Sequence, residues 1–400
     1  MLTHDCFLPA FIQLSQPASL WTSIGFYWDS TKNRMVELCP RKMQFHKVTS
    51  YIHGISVGSM LLQTLLRRED DRSKVLISSF GLIVLVFTTI TVWVYHNNLK
   101  KCVTLINDLV KSSKEFQAGA DHRDRELDTK EKFFKLMAPL FHWSAMSVPF
   151  AFVGGVVWSM PCMNSSFAFF LLEECSVGGD ADAAAIEGGN GNPILKIVFI
   201  GINLVLWSYS IQCAVFSVIG VEMLGAMTIR SFLKCYEKKM LSVSTSLGQR
   251  ANSKNLFKTA LIYRRLQLLT DSLNEIHSTS ILVPLLVTVS SHQVFGLYGL
   301  IKFEGQLNFV SYALFTMLAS QGVLVIMGMF TALADVHTLS VRIKMNLEKK
   351  HRSHKWLRRF HAGCAVIKIR FGKLNYVDSY SPLSFESFAI AQTANMLLVD

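Results

Sequence analysis

The stretch HRSHKWLRRFHAGC places His351, His354, His361 and Cys364 at spacings that could serve a zinc ion. Arg352, Lys355, Arg358 and Arg359 stand among them and repel a divalent cation, so the stretch reads as a basic linker. No metal and no other cofactor is expected. Cys162 and Cys175 suit a disulfide in an oxidising compartment. Between them Asn164 opens an Asn-Ser-Ser glycosylation acceptor, useful only on the lumenal side of a membrane. No serine elbow, glycine-rich phosphate loop or HExxH stands in a supporting context, so nothing requires catalysis and the chain is not expected to be an enzyme.

Two further groups suit transport and recognition. In LSFESFAIAQTANMLLV, residues 383–399, helical spacing puts Ser384, Ser387, Ala391, Asn395 and Leu398 on one stripe, with Gln392 at its edge. Small and polar walls ending in an apolar ring suit an ion pathway that dewets when closed. The same stripe equally suits a helix-packing face. Trp158, Phe199, Tyr209 and Tyr312 belong to a set of aromatics on successive apolar segments. An apolar pocket with a few hydroxyls suits a small organic ligand, and core or interface packing is the competing use of such residues.

The elements that would position these groups are apolar. Half of the 400 residues are hydrophobic and 17% are charged, which points to a membrane rather than water as the solvent. Windows long enough to span occur at 46–66, 75–95, 136–160, 194–227, 276–301 and 309–333, followed by the short, more polar 383–399. The expected fold class is therefore an all-α integral membrane protein with seven transmembrane helices. The first 31 residues hold no Lys or Arg, and no basic region precedes a cleavage site, so the first span is expected to act as its own insertion signal.

Charge sets the orientation. The chain carries 40 Lys and Arg against 28 Asp and Glu, a net charge of +12, yet none of the basic residues falls between Leu136 and Leu195. They crowd instead into the N-terminal segment 1–44 and the loops 97–135, 228–275 and 334–371. Basic loops stay cytoplasmic, so the N-terminus is expected inside, the C-terminus outside, and loop 161–193 outside as well. Anionic lipid accounts for these loops without any nucleic-acid partner. In 228–275, Leu256, Leu261, Leu266, Leu269 and Leu273 recur at helical spacing, which predicts a fifth helix running on into the cytosol. Residues 339–350 extend the sixth in the same way. Asp335 and Glu222 are expected to be interfacial or paired.

With these features the chain resembles the arthropod odorant and gustatory receptor superfamily. Odorant receptors commonly close with Gly-Lys and then Pro-Leu-Ser-x-Glu-x-Phe. Here stand Gly372 and Lys373, then PLSFESF from Pro382 to Phe388. LTDSLNEIHSTSILVPLL at 269–286 is similar to the fifth-helix pattern of gustatory receptors. The gustatory ending Thr-Tyr, apolar run, Gln-Phe is met only at Thr393; Ala394, Asn395 and Asp400 depart from it. The resemblance implies a seven-helix chemoreceptor domain over 45–400 in the plasma membrane, acting as a ligand-gated, non-selective cation channel. It implies a homo- or hetero-tetramer, which can include a co-receptor subunit, opened by a tastant or odorant. By the resemblance Asn395, Leu398 and Gln392 face the pore, and Trp158, Phe199, Tyr209 and Tyr312 face the ligand. Regions 228–275 and 334–371 would anchor the subunits. A G-protein-coupled receptor is the alternative, opposed by the loop charges and the missing Asp-Arg-Tyr and Asn-Pro-x-x-Tyr motifs. A transporter built from inverted halves is a further alternative, and no internal repeat supports it.

Overall fold

A computed structural model of the chain describes residues 24–66, 72–117, 216–245, 251–305, 309–350, 355–373 and 375–399, with residues 12, 15, 197, 198, 201, 202, 205, 208, 209, 212 and 213 besides. Strands β1 (Phe26–Asp29) and β2 (Arg34–Glu37) open it as an antiparallel hairpin. At the turn the Asp29 carboxylate accepts hydrogen bonds from the Thr31 hydroxyl and from the Thr31 and Lys32 amides, and Asn33 takes the left-handed conformation at φ 50°. The hairpin is not a loose leader. Phe26 and Met35 are buried, Phe26 meets the rings of Tyr95 and Phe216, and Asn107 grips the Met35 backbone at both its N–H and C=O.

Helices α1 (Pro40–Leu66), α2 (Arg72–Asn97) and α3 (Leu99–Gln117) follow. Pro40 at the first helical position suits a helix start, because its missing N–H would have had no partner there. Between α2 and α3 the chain turns through 81° about Asn98, whose side-chain amide donates to the Val94 carbonyl. Facing α2, the first helix leaves Phe45, Tyr51, Ile52 and Ile55 exposed, an apolar outer side that water does not favour.

A π-helical stretch, Phe216–Met223, leads into α4 (Leu224–Thr245). Over its first half α4 is buried almost all round, which marks a central helix. It packs between α5 (Ala251–His277) and α8 (Thr331–Lys350), where Leu233, Tyr236, Leu266, Leu273, Val336 and Ile343 form the core. Polar and charged pairs complete these contacts. Arg230 meets Asp335 at 3.1 Å, Arg342 meets Glu237 at 3.0 Å, and Glu222 faces His277 in a buried pair beneath the Tyr95 ring. Of the two acidic residues expected to be interfacial or paired, Glu222 faces His277 and Asp335 meets Arg230.

The fifth helix does not run on as one rod. Helix α5 ends at His277, a turn spans Ser278–Ile281, and α6 (Leu282–Lys302) begins afresh. Hydroxyl residues such as Ser278, Thr279 and Ser280 weaken a helix because such side chains can compete for backbone groups, and in the turn the Ser278 carbonyl accepts the Gly372 amide at 2.9 Å. Helix α7 (Phe309–Val325), the π-helical stretch Ile326–Phe330 and α8 are continuous, so the sixth window does run on as a helix through residues 339–350.

Glycines bring α6 and α7 unusually close. A Cβ added at Gly296 would lie 2.5 Å from the Ala319 amide nitrogen, and one at Gly322 would lie 2.6 Å from Gln293 Cβ. Helix α9 (Lys355–Gly363), the short pair β3 (Arg370–Phe371) and β4 (Asn375–Tyr376), and α10 (Ser381–Val399) complete the chain. Among the described residues two helices are long and apolar enough to cross a membrane, Leu282–Lys302 and Phe315–Lys349, or three if the bent pair α2–α3 is one span. Window 136–160 and part of window 194–227 (194–196, 199, 200, 203, 204, 206, 207, 210, 211, 214 and 215) lie outside the described residues.

Candidate functional site

The last helix is the most elaborately positioned element. Residues 364–372, just before it, are laid along α5 and α8 by side chains that satisfy their backbone. Lys344 Nζ donates to the Cys364 carbonyl at 2.8 Å, and Gln267 Nε2 and the Tyr263 hydroxyl both donate to the Ala365 carbonyl. The Ser340 hydroxyl accepts the Ile367 amide at 2.9 Å. Asn274 donates to the Lys368 carbonyl and accepts the Arg370 amide. Gly372 then adopts φ +67°, a left-handed turn that favours glycine, and its amide reaches Ser278. The glycine of the Gly-Lys pattern, Gly372, thus meets a backbone requirement.

Asp378 and Ser381 start the helix by a reciprocal cap. The Asp378 carboxylate accepts the Ser381 amide at 2.9 Å, and the Ser381 hydroxyl accepts the Asp378 amide at 3.0 Å. Hydrogen bonds from the Ser381 hydroxyl and from the Ser381 and Tyr380 amides hold the Asp378 carboxyl below the usual carboxylate range. Phe385 next packs against Phe330 at 4.9 Å and Phe371 at 5.6 Å. At the next residue, Gln293 Nε2 of α6 donates to Glu386 at 2.6 Å.

These contacts divide α10 into two faces. Pro382, Ala389 and Thr393 are buried, with Glu386 turned to the same side. Ser384, Ser387, Ala391 and Asn395 are exposed, Gln392 is half-buried, and Leu398 at the far end is 84% exposed. Among the described residues, the stripe read from the sequence therefore lies on the open face of α10.

Two of the aromatic candidates fall among the described residues. Tyr209 is buried, with its hydroxyl 3.0 Å from Ser50 Oγ and its ring 5.2 Å from His53, both on α1. Tyr312 on α7 is 56% exposed. Trp158 and Phe199 lie outside the described residues, as do Cys162, Asn164 and Cys175. The sequence reading also passed over Gln293 and undervalued Glu386. Their signal was available, since a polar side chain within an apolar span is costly without a partner.

No family model matches the sequence, and no curated protein does. Solved structures do match. The chain superposes on the insect olfactory receptor OR5 from Machilis hrabei in complex with eugenol with a TM-score of 0.68 at 12% identity, over 98% of this chain and 99% of that one. Another structure of that receptor superposes with a TM-score of 0.64 at 11% identity, over 96% and 97% of the two chains. From end to end, this chain has the helical fold of an insect olfactory receptor.

Proposed function

We propose that the chain is a member of the insect chemoreceptor superfamily: a plasma-membrane, ligand-gated, non-selective cation channel opened by small organic molecules. Seven spans, with the N-terminus inside and the C-terminus outside, would make one domain of residues 45–400. The observation that carries this reading is the uncovered polar stripe of α10. A helix anchored so closely on one side, with Ser384, Ser387, Asn395 and Leu398 left open on the other, suits a wall that several copies complete around an axis. The end-to-end fold likeness supports the reading, and the neighbour's complex with eugenol supports a small organic ligand.

In this mechanism the Leu398 side chains of the assembled subunits form an apolar ring that excludes water when close together. Asn395 and Gln392 line the wall below it. Ligand that binds the open arrangement more tightly than the closed one shifts the population towards open, by no more than that difference in affinity. Trp158, Phe199, Tyr209 and Tyr312 are the candidate ligand contacts, and a tetramer, with or without a co-receptor subunit, is the assembly. Loops 228–275 and 334–371 are the candidate anchor between subunits. Cys162–Cys175 pairing and glycosylation at Asn164 belong to the outer loop.

The test is Leu398→Ser expressed in cells that lack such channels, with surface display measured on the same cells. A polar ring stays wet, so the variant carries a resting sodium current above the parent's, and the current vanishes when a large organic cation replaces sodium. A displayed variant with the parent's resting current would remove Leu398 from the pathway.

A further inference from the structure

The contact between Gln293 and Glu386 has the properties of a latch. Gln293 is 1% exposed, midway along α6. Its backbone is seated against Gly322 of α7, where an added Cβ would lie 3.1 Å from the Gln293 N and Cα atoms. Gln293 therefore moves only with the α6–α7 pair. Its Nε2 donates to Glu386 Oε2 at 2.6 Å, and this joins that rigid pair to the last helix.

The remaining acceptors are unmet. Gln293 Oε1 and Glu386 Oε1 are both buried, and neither receives a hydrogen bond among the described residues. A buried polar pair in this condition favours its seated position by one short, directional bond while bearing the desolvation of two idle oxygens. The ring packing of Phe385 with Phe330 and Phe371 behaves differently, because dispersion contact weakens gradually with separation. A small outward shift of α10 breaks the polar bond at once and lets water reach all of its groups. Such a contact distinguishes two positions of the helix rather than a continuum.

Resting on the channel reading, we propose that Gln293 and Glu386 are positioning residues that hold α10 in its non-conducting seat, and that opening breaks their hydrogen bond. Glu386 shares the packed face of α10 with Pro382, Ala389 and Thr393, whereas Leu398 lies on the open face about 18 Å further along the rod. The pair acts on the ring through the helix and never touches the pathway.

The test uses the full chain, recorded in whole cells with sodium and then a large organic cation outside, and with surface display measured in parallel. Eugenol serves as an added probe of evoked current. Glu386→Leu and Gln293→Leu each remove the bond from one side and raise the resting sodium current by about tenfold, the ratio set by 1.4 kcal/mol. The double variant is no leakier than either single, because both remove the same interaction. Glu386→Gln keeps the acceptor and adds an amide donor for Gln293 Oε1, so its current stays at or below the parent's. A merely structural role would not send Leu and Gln at one position in opposite directions.

If a leucine variant is not displayed, Glu386→Asp replaces it. Its shorter arm no longer reaches the amide, so its current should also rise. Displayed leucine or aspartate variants with the parent's current, or a Glu386→Gln variant as leaky as Glu386→Leu, overturn the latch. Leu398→Ser separates this failure from that of the channel. If it leaks while the Glu386 variants are silent, only the latch falls; if all are displayed and neither they nor the parent carry any resting or evoked current, the channel reading falls and the latch with it.

Discussion

Asp378 and Asn274 fix the last helix at its root, and the two side chains should fail differently. Asp378 lies near solvent, so Asp378→Ala leaves the Ser381 amide free to bind water and costs about 1 kcal/mol, as for other N-caps. Its carboxyl is held below the ordinary value of 3.8 in the fold, so its contribution is complete above that value and is lost as pH falls through the lowered one. The gap in Tm between Asp378→Ala and the parent in detergent should therefore be constant from neutral pH to about pH 5 and should narrow only in stronger acid. A gap that closes already near neutrality would mean that another group titrates against this cap. Asn274 binds the Lys368 carbonyl and the Arg370 amide together and is itself buried. Asn274→Ala strands backbone groups away from water, at about 1–3 kcal/mol for each one left unmet. Its Tm should fall further than that of Asp378→Ala, and its gap to the parent should not narrow in stronger acid as the Asp378→Ala gap does.

Among the helices, the tightest junction is α6 against α7, and its glycines give a sharp contrast. Gly322→Leu drives a side chain into Gln293, with the first carbon already 2.6 Å from Gln293 Cβ, so the helices must separate. Overpacking of this kind costs about 1–3 kcal/mol or more. Gly328→Ala meets nothing within 4 Å and should be neutral or slightly stabilising. Thermal unfolding of both proteins in detergent checks the pair, and equal stability would mean that α6 and α7 are not in this close contact. The sequence reveals such elements unevenly. Windows 75–95, 309–333 and 383–399 coincide with helices because long apolar runs have few other stable forms. The break at Ser278–Ile281 is hidden, since Ser and Thr are also tolerated inside spans and only the distant Gly372 amide makes the turn useful. The β1–β2 hairpin had a local signal in the Asp29–Asn33 turn, which the search for apolar helices passed over. The polar stripe of α10 follows from spacing alone. Its latch to Gln293 does not, because that partner lies 93 residues away and local periodicity carries no pairing information.

For the whole molecule, every assignment on α10 depends on which way the chain crosses the membrane. The charge pattern predicts that the basic loops 97–135, 228–275 and 334–371 share one side and that the Lys-free and Arg-free stretch from Leu136 to Leu195 lies on the other. The fold adds an independent constraint. Residues 364–372 are fastened to α5 and α8 by Gln267, Asn274, Ser340 and Lys344, so the start of α10 lies on the same side as those basic helices. If that side is the cytoplasm, α10 runs outward and Leu398 lies near the outer surface. An epitope tag after Asp400 should then be labelled on intact cells, and a glycosidase should shift the mobility of the chain through Asn164. Labelling only after permeabilisation would turn the bundle over or leave α10 short of the far side. Either result would separate Asn395 and Leu398 from an outward-opening pathway, however well their spacing suits one.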